Sequence, residues 1–137
     1  MTKVFVDADV ILDLFVARKP FHQEALRFFS RLKAAEAGFT SPLIVANVHY
    51  VLSRIRNGRY ALERVRALRK LLSIVSVTEQ TLDAATAAAG RDFEDAIQYQ
   101  CARESGMQLL VTRNTRHFPT GPLAVCSPSE YLAAAAP

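Results

Sequence analysis

Val4-Phe5-Val6-Asp7-Ala8-Asp9 is a short run of β-branched and aromatic residues that stops on an acid, the pattern of a buried strand with a carboxylate at its carboxyl end. Leu109-Leu110-Val111 repeats the pattern late in the chain and runs into the polar turn Thr112-Arg113-Asn114. The sequence between them alternates longer helical patterns with short apolar runs. From Phe21 to Ala37, residues Ala25, Phe28, Phe29 and Leu32 fall at helical spacing, and Gly38 is expected to close that helix. Phe39-Thr40 is a second strand candidate. Ser41-Pro42 reads as an N-cap followed by proline at the first helical position, opening a helix to about Arg56.

Asn57-Gly58 is a turn pair, after which Leu62, Val65, Leu68 and Leu72 mark another amphipathic helix. Ile74 to Val77 and Leu123 to Val125 are further strand candidates, and Thr78 caps a helix that Gly90 should end. Ser127-Pro128-Ser129-Glu130 has the spacing of a capping box and starts a last helix, with residues 133–137 expected to fray. Short strands separated by longer helices predict an α/β fold: a three-layer α/β/α sandwich on a mainly parallel central sheet of about five short strands. In such sheets ligands bind outside the carboxyl ends of the strands, where strand order reverses. Asp7 and Asn114 are expected at that edge.

The chain has 137 residues, half of them hydrophobic, which suits one domain, taken as residues 1–132. No apolar run approaches the roughly 20 residues needed to cross a bilayer, so the expectation is a soluble, cytoplasmic protein without membrane association. Cys101 and Cys126 have no metal-ligand spacing and read as small packed residues rather than a disulfide. His22 and His49 lack the spacing of a zinc pair. There is neither a Gly-rich phosphate loop nor a nucleophile elbow, which excludes kinase and serine-hydrolase readings. A net charge of +4 favours a polyanionic partner, and Arg54, Arg56, Arg59, Arg64, Arg66, Arg69 and Lys70 gather in one stretch with Glu63 as its single acid.

Asp92-Phe93-Glu94-Asp95 precedes the helical run Ala96 to Ala102. Its acids suit a helix N-cap and first turn, and they equally suit a hard cation such as magnesium or manganese, which takes oxygen ligands and keeps several waters. Asp7 has no such local explanation, because it follows an apolar strand. Asp7, Asp9, Asp92 and Asp95 are therefore the candidate metal-ligating acids, with Glu94 beside them.

These segments resemble the PIN-domain nucleases. Val4 to Asp13 is similar to the family's opening strand and its metal-binding aspartate, Asp92 to Gln98 to its central acidic segment, and Leu110 to Asn114 to its late strand and Thr-Arg-Asn turn. Ser127 to Leu132 is similar to the closing helix. The resemblance implies a Mg2+- or Mn2+-dependent endoribonuclease of the VapC toxin type, with RNA as substrate, an antitoxin protein as partner and a homodimeric state. It assigns Asp7 and Asp95 as ligands with Glu94 and Asp92 as close auxiliaries, so that Asp7, Asp95 and Glu94 are the expected catalytic residues and Asp9 a further candidate ligand from the residues themselves. Asn114, Arg113, Arg116 and Asn47 are the expected substrate contacts.

Two positions depart from the family pattern. Asn47 stands where a glutamate is usual, and His117-Phe118 stands where an Asp-Phe pair is usual. An amide supplies less charge than a carboxylate, and imidazole suits manganese or zinc better than magnesium. Asp9, Asp13, Asp92 or Glu94 would have to compensate. The alternative expectation is a catalytically impaired PIN-fold module that binds RNA or protein.

Overall fold

The computed structural model describes residues 2–35, 37–88, 92–119 and 121–135. Strands β1 Val4–Val6, β2 Gly38–Thr40, β3 Ser73–Ile74, β4 Leu109–Val111 and β5 Ala124–Cys126 form one sheet in the order β3-β2-β1-β4-β5. Every neighbouring pair is parallel. The chain steps outward from β1 to β3, then crosses back to place β4 on the other side of β1. Strand order thus reverses at the β1/β4 boundary.

Among the described residues, seven α-helices flank the sheet: α1 Ala8–Phe15, α2 His22–Ala35, α3 Pro42–Ile55, α4 Gly58–Leu71, α5 Glu79–Ala87, α6 Phe93–Glu104 and α7 Pro128–Ala135. Helices α1, α2, α3, α4 and α7 pack in one connected group, and α5 packs on α6. Val4, Phe5 and Val6 are fully buried, as a central parallel strand covered on both faces requires. Ile11, Phe28, Leu32, Val48, Leu52 and Leu110 join them in the core.

The caps follow the sequence. Ser41 Oγ accepts from the Ile44 N–H at 3.1 Å, Asn57 Oδ1 from the Tyr60 N–H at 2.8 Å, and Ser127 and Glu130 form the reciprocal capping box at 3.1 and 2.9 Å. Thr78 caps α5; the stop expected at Gly90 lies outside the described residues. Gly38 opens β2 instead of closing α2, which ends at Ala35, and the space a side chain would take there is filled by Leu32 and Leu72. Strand β3 is shorter than expected and sits one residue earlier, with its pairing continued by the Val75 N–H donating to Thr40 O at 2.9 Å. The fifth strand is displaced one residue later. Helix α7 continues past Leu132 to Ala135, since alanine is the best helix former. No helix among the described residues is long and apolar enough to cross a membrane.

A Cβ at Gly38 would lie 2.5 Å from Leu72 Cδ2 and 2.7 Å from Leu32 Cδ2, both on buried side chains. Gly38→Ala should therefore destabilise the fold by about 1–3 kcal/mol, the range for overpacking. Urea unfolding measures this, and a midpoint equal to the parent's would contradict the packing described.

Candidate active site

The β1/β4 register sets the site. Val6 pairs with Val111, so Asp7 and Thr112 leave the sheet side by side, and the Asp7 N–H donates to Val111 O at 3.0 Å. Asp7 is also the N-cap of α1: its Oδ1 accepts from the Ala8 N–H at 2.8 Å, and its Oδ2 accepts from Thr112 Oγ1 at 2.9 Å. These bonds do not offset the desolvation. Burial, reinforced by the charge of Asp9, pushes the Asp7 carboxyl up to about 7.

Asp9 lies in the first turn of α1 and gathers the late turn around one oxygen. Its Oδ2 accepts from Thr112 Oγ1 at 3.2 Å, the Arg113 N–H at 3.0 Å and Asn114 Nδ2 at 3.2 Å. Its Oδ1 is buried and accepts from no group in the described structure. Burial raises the Asp9 pKa even against the donors from Arg113 and Thr112. Thr112 has one hydroxyl proton and two carboxylates within reach, so it serves them one at a time. It is itself held by the Asn114 N–H at 3.1 Å.

Asp95 comes from α6, across the strand-order reversal. Asp92 caps that helix by accepting from the Asp95 N–H at 3.0 Å, so the capping reading of Asp92 is realised. Burial first, then the charges of Asp92, Glu94 and Asp9, push the Asp95 carboxyl up to about 6 against the lowering effect of His117. His117 Nδ1 stands 3.8 Å from Asp95 Oδ2. Asp92 and Glu94 are exposed, and Asn47 is half-buried on α3. One turn beyond Asp95, the buried Gln98 accepts from Ser41 Oγ at 2.7 Å, tying α6 to the start of α3.

Arg113, expected on a phosphate, is committed elsewhere. Its guanidinium makes a two-pronged contact with Asp13, Nε to Oδ2 at 2.5 Å and Nη2 to Oδ1 at 3.1 Å, and lies 3.9 Å from the Phe21 ring centroid. Asp13 is 1% exposed, so Arg113 neutralises a buried charge, and Asp13 is not a spare ligand. Asn114 and Arg116 remain exposed at the edge. Thr112, Ser41 and Gln98 were not singled out as site residues by the sequence reading; a polar residue following a buried parallel strand was the available signal for Thr112.

Asp7, Asp9 and Asp95 offer oxygens alone; burial raises all three carboxyls above the usual range, and one oxygen, Asp9 Oδ1, has no donor. That donor set suits a hard divalent cation that keeps most of its waters. Among the described residues, however, no three His, Cys, Asp or Glu side chains stand close enough together to hold a metal ion as they are placed, so a cation here would rest on one or two carboxylates and water.

A parallel sheet with reversed order at β1/β4 and acids at that boundary defines an α/β/α domain with an acidic sheet edge. The sequence model of the PIN domain matches residues 3–116, and the chain belongs to the PIN-domain family. It is 28% identical over 135 residues to Ribonuclease VapC1 of Aquifex aeolicus (strain VF5), covering 94% of this chain and 92% of that protein. The fold is similar to that of the DNA-bound VapBC from Salmonella typhimurium, with a TM-score of 0.70, 16% identity and coverage of 93% and 99% of the two chains. It is similar also to Mycobacterium tuberculosis VapC20, described as a Sarcin-Ricin loop cleaving toxin, with a TM-score of 0.65, 21% identity and coverage of 79% and 87%.

Two predictions follow from these charges. An acid whose pKa is raised from 3.8 to about 7 on folding makes the folded state bind more protons than the unfolded state between those values, so stability falls as pH rises through that window. Asp7→Asn should raise the metal-free protein's stability at pH 8 by a few kcal/mol, on the order set by linkage, and leave it nearly unchanged below pH 4. Thermal melts across pH test this; an equal effect at both ends would refute it. Arg113→Met should cost about 3–5 kcal/mol by stranding Asp13, far more than Arg116→Met, as chemical denaturation would register.

Proposed function

We propose that the protein is a metal-dependent endoribonuclease and the toxin member of a toxin–antitoxin pair. The observation that carries this reading is that Asp7, Asp9 and Asp95 are all desolvated beside the strand-order reversal, with the charge of Asp9 opposing ionisation of the other two. Such an arrangement costs stability, and a family of nucleases gives it a use. The similarity to Ribonuclease VapC1 supports the substrate class. The fold's likeness to the Salmonella typhimurium VapBC and to a toxin–antitoxin complex from Klebsiella pneumoniae, the latter at a TM-score of 0.68, supports an antitoxin partner.

A divalent cation bound at these acids would polarise a phosphodiester oxygen and lower the pKa of a water. Asp7 and Asp95 would hold it, with the free Oδ1 of Asp9 as a further oxygen. Thr112 and the Arg113 N–H fix the orientation of Asp7 and Asp9. Asp92, the N-cap of α6, and Glu94 in its first turn, both exposed, would orient water. Asn114, Arg116 and Asn47 are the proposed substrate contacts; Arg113 serves through its backbone and its pairing with Asp13. Mg2+ or Mn2+ fits the oxygen donors, and His117 beside Asp95 favours manganese.

Purified protein incubated with single-stranded RNA and Mn2+ should cleave it, and Asp7→Asn or Asp95→Asn should reduce cleavage at least about 100-fold, as for loss of one electrostatic anchor. Unchanged cleavage in both variants would reject the site. Metal-independent, salt-sensitive RNA binding with no cleavage would favour the binding-module alternative raised by Asn47 and His117.

A further inference from the structure

The basic stretch singled out in the sequence folds into the hairpin of α3 and α4, and its arginines are arranged around tyrosines. Tyr60 is clasped by two of them: the guanidinium carbons of Arg56 and Arg64 lie 4.9 and 5.0 Å from its ring centroid. Arg54 lies 5.9 Å from the ring of Tyr50, which is 61% exposed. Tyr60 is a fixed platform, since its N–H is held by Asn57 Oδ1 at 2.8 Å and its hydroxyl donates to Phe15 O at 3.2 Å. Among the described residues, Arg54, Arg56 and Arg64 are paired with no carboxylate, and all three are exposed.

Two like charges held on one ring without a counter-charge repel one another, and an anion between them relieves the repulsion. Guanidinium groups donate in a planar fork that matches phosphate oxygens, and exposed tyrosine faces accept unpaired bases. Phe15, where Tyr60 is anchored, ends the helix that Asp7 caps. That eight-residue helix is about 12 Å long, so the clasp stands within a few nucleotides of the acids along one RNA strand.

We propose that Arg56, Tyr60 and Arg64, with Arg54 and Tyr50 beside them, form a second RNA contact that grips the phosphodiester backbone away from the acidic site. This inference rests on the reading of the protein as one that acts on RNA. The clasp supplies affinity and alignment, and it takes no part in the chemistry.

The test is fluorescence anisotropy of a labelled 12-nucleotide single-stranded RNA with the full-length protein in EDTA, titrated across potassium chloride concentrations. Arg56→Gln/Arg64→Gln should weaken binding about tenfold at 0.1 M salt and reduce the slope of log affinity against log salt by about 1.4, for two phosphate contacts at roughly 0.7 each. Arg27→Gln/Lys33→Gln removes the same charge from exposed positions of α2 and should change the slope by less than half as much. Equal losses in the two double variants would overturn the clasp, as would an unchanged slope in the first. A polyglutamate peptide that competes as well as RNA of equal length would also overturn it, by assigning the surface to acidic protein. Loss of the slope difference while Mn2+-dependent cleavage persists refutes the clasp alone. A retained slope difference in a protein that never cleaves RNA refutes the nuclease reading alone.

Discussion

Desolvation of Asp7 at the β1/β4 boundary is the constraint around which the site is arranged. A carboxyl at the carboxyl end of the central strand has lost most of its water, and its α1 N–H and Thr112 contacts return only part of that stabilisation. Its position is not negotiable locally, because β1 is fully buried and paired on both sides. Any relief must come from what reaches the same edge from elsewhere: a proton, the Thr112 hydroxyl, or a cation.

The late turn is held to that edge by a second buried charge. Asp13 and Arg113 neutralise each other beneath Phe21, and the Arg113 backbone N–H then points at Asp9. The backbone and the side chain of one residue thus serve opposite ends of α1. A buried ion pair adds little net stability, but its two-pronged geometry fixes the turn more tightly than a single contact would. Holding Asp9 Oδ2 with three donors leaves its Oδ1 as the oxygen that has no internal use.

The strand-and-acid pattern of Val4 to Asp9 made the parallel sheet legible, because a central strand is buried on both faces and reads as an unbroken apolar run. Ser41, Thr78, Asp92 and Ser127 were legible as caps for an equally local reason. What depended on through-space partners was not. Arg113 looked like a phosphate ligand because nothing in its sequence neighbourhood reveals Asp13, a hundred positions away. Thr112 passed as one member of a turn until the β1/β4 register set it against Asp7. The role of Gly38 likewise depends on Leu32 and Leu72 reaching it from other elements.

The replacement of an expected acid by His117 changes the electrostatics in a definite direction. Asp95 already feels Asp92, Glu94 and Asp9, all of which oppose its ionisation, whereas His117 at 3.8 Å favours it. A carboxylate in the same place would add a further like charge and push Asp95 higher. The imidazole therefore surrenders one negative ligand and makes an existing one easier to ionise. With Asp95 losing its proton near 6 and Asp7 near 7, the edge gains its negative charge in steps across neutral pH. A cation bound there competes with those protons, so its affinity rises with pH over the same interval. Charge at this edge is therefore set by what occupies it, proton or cation, and His117 shifts that balance toward the ionised acid.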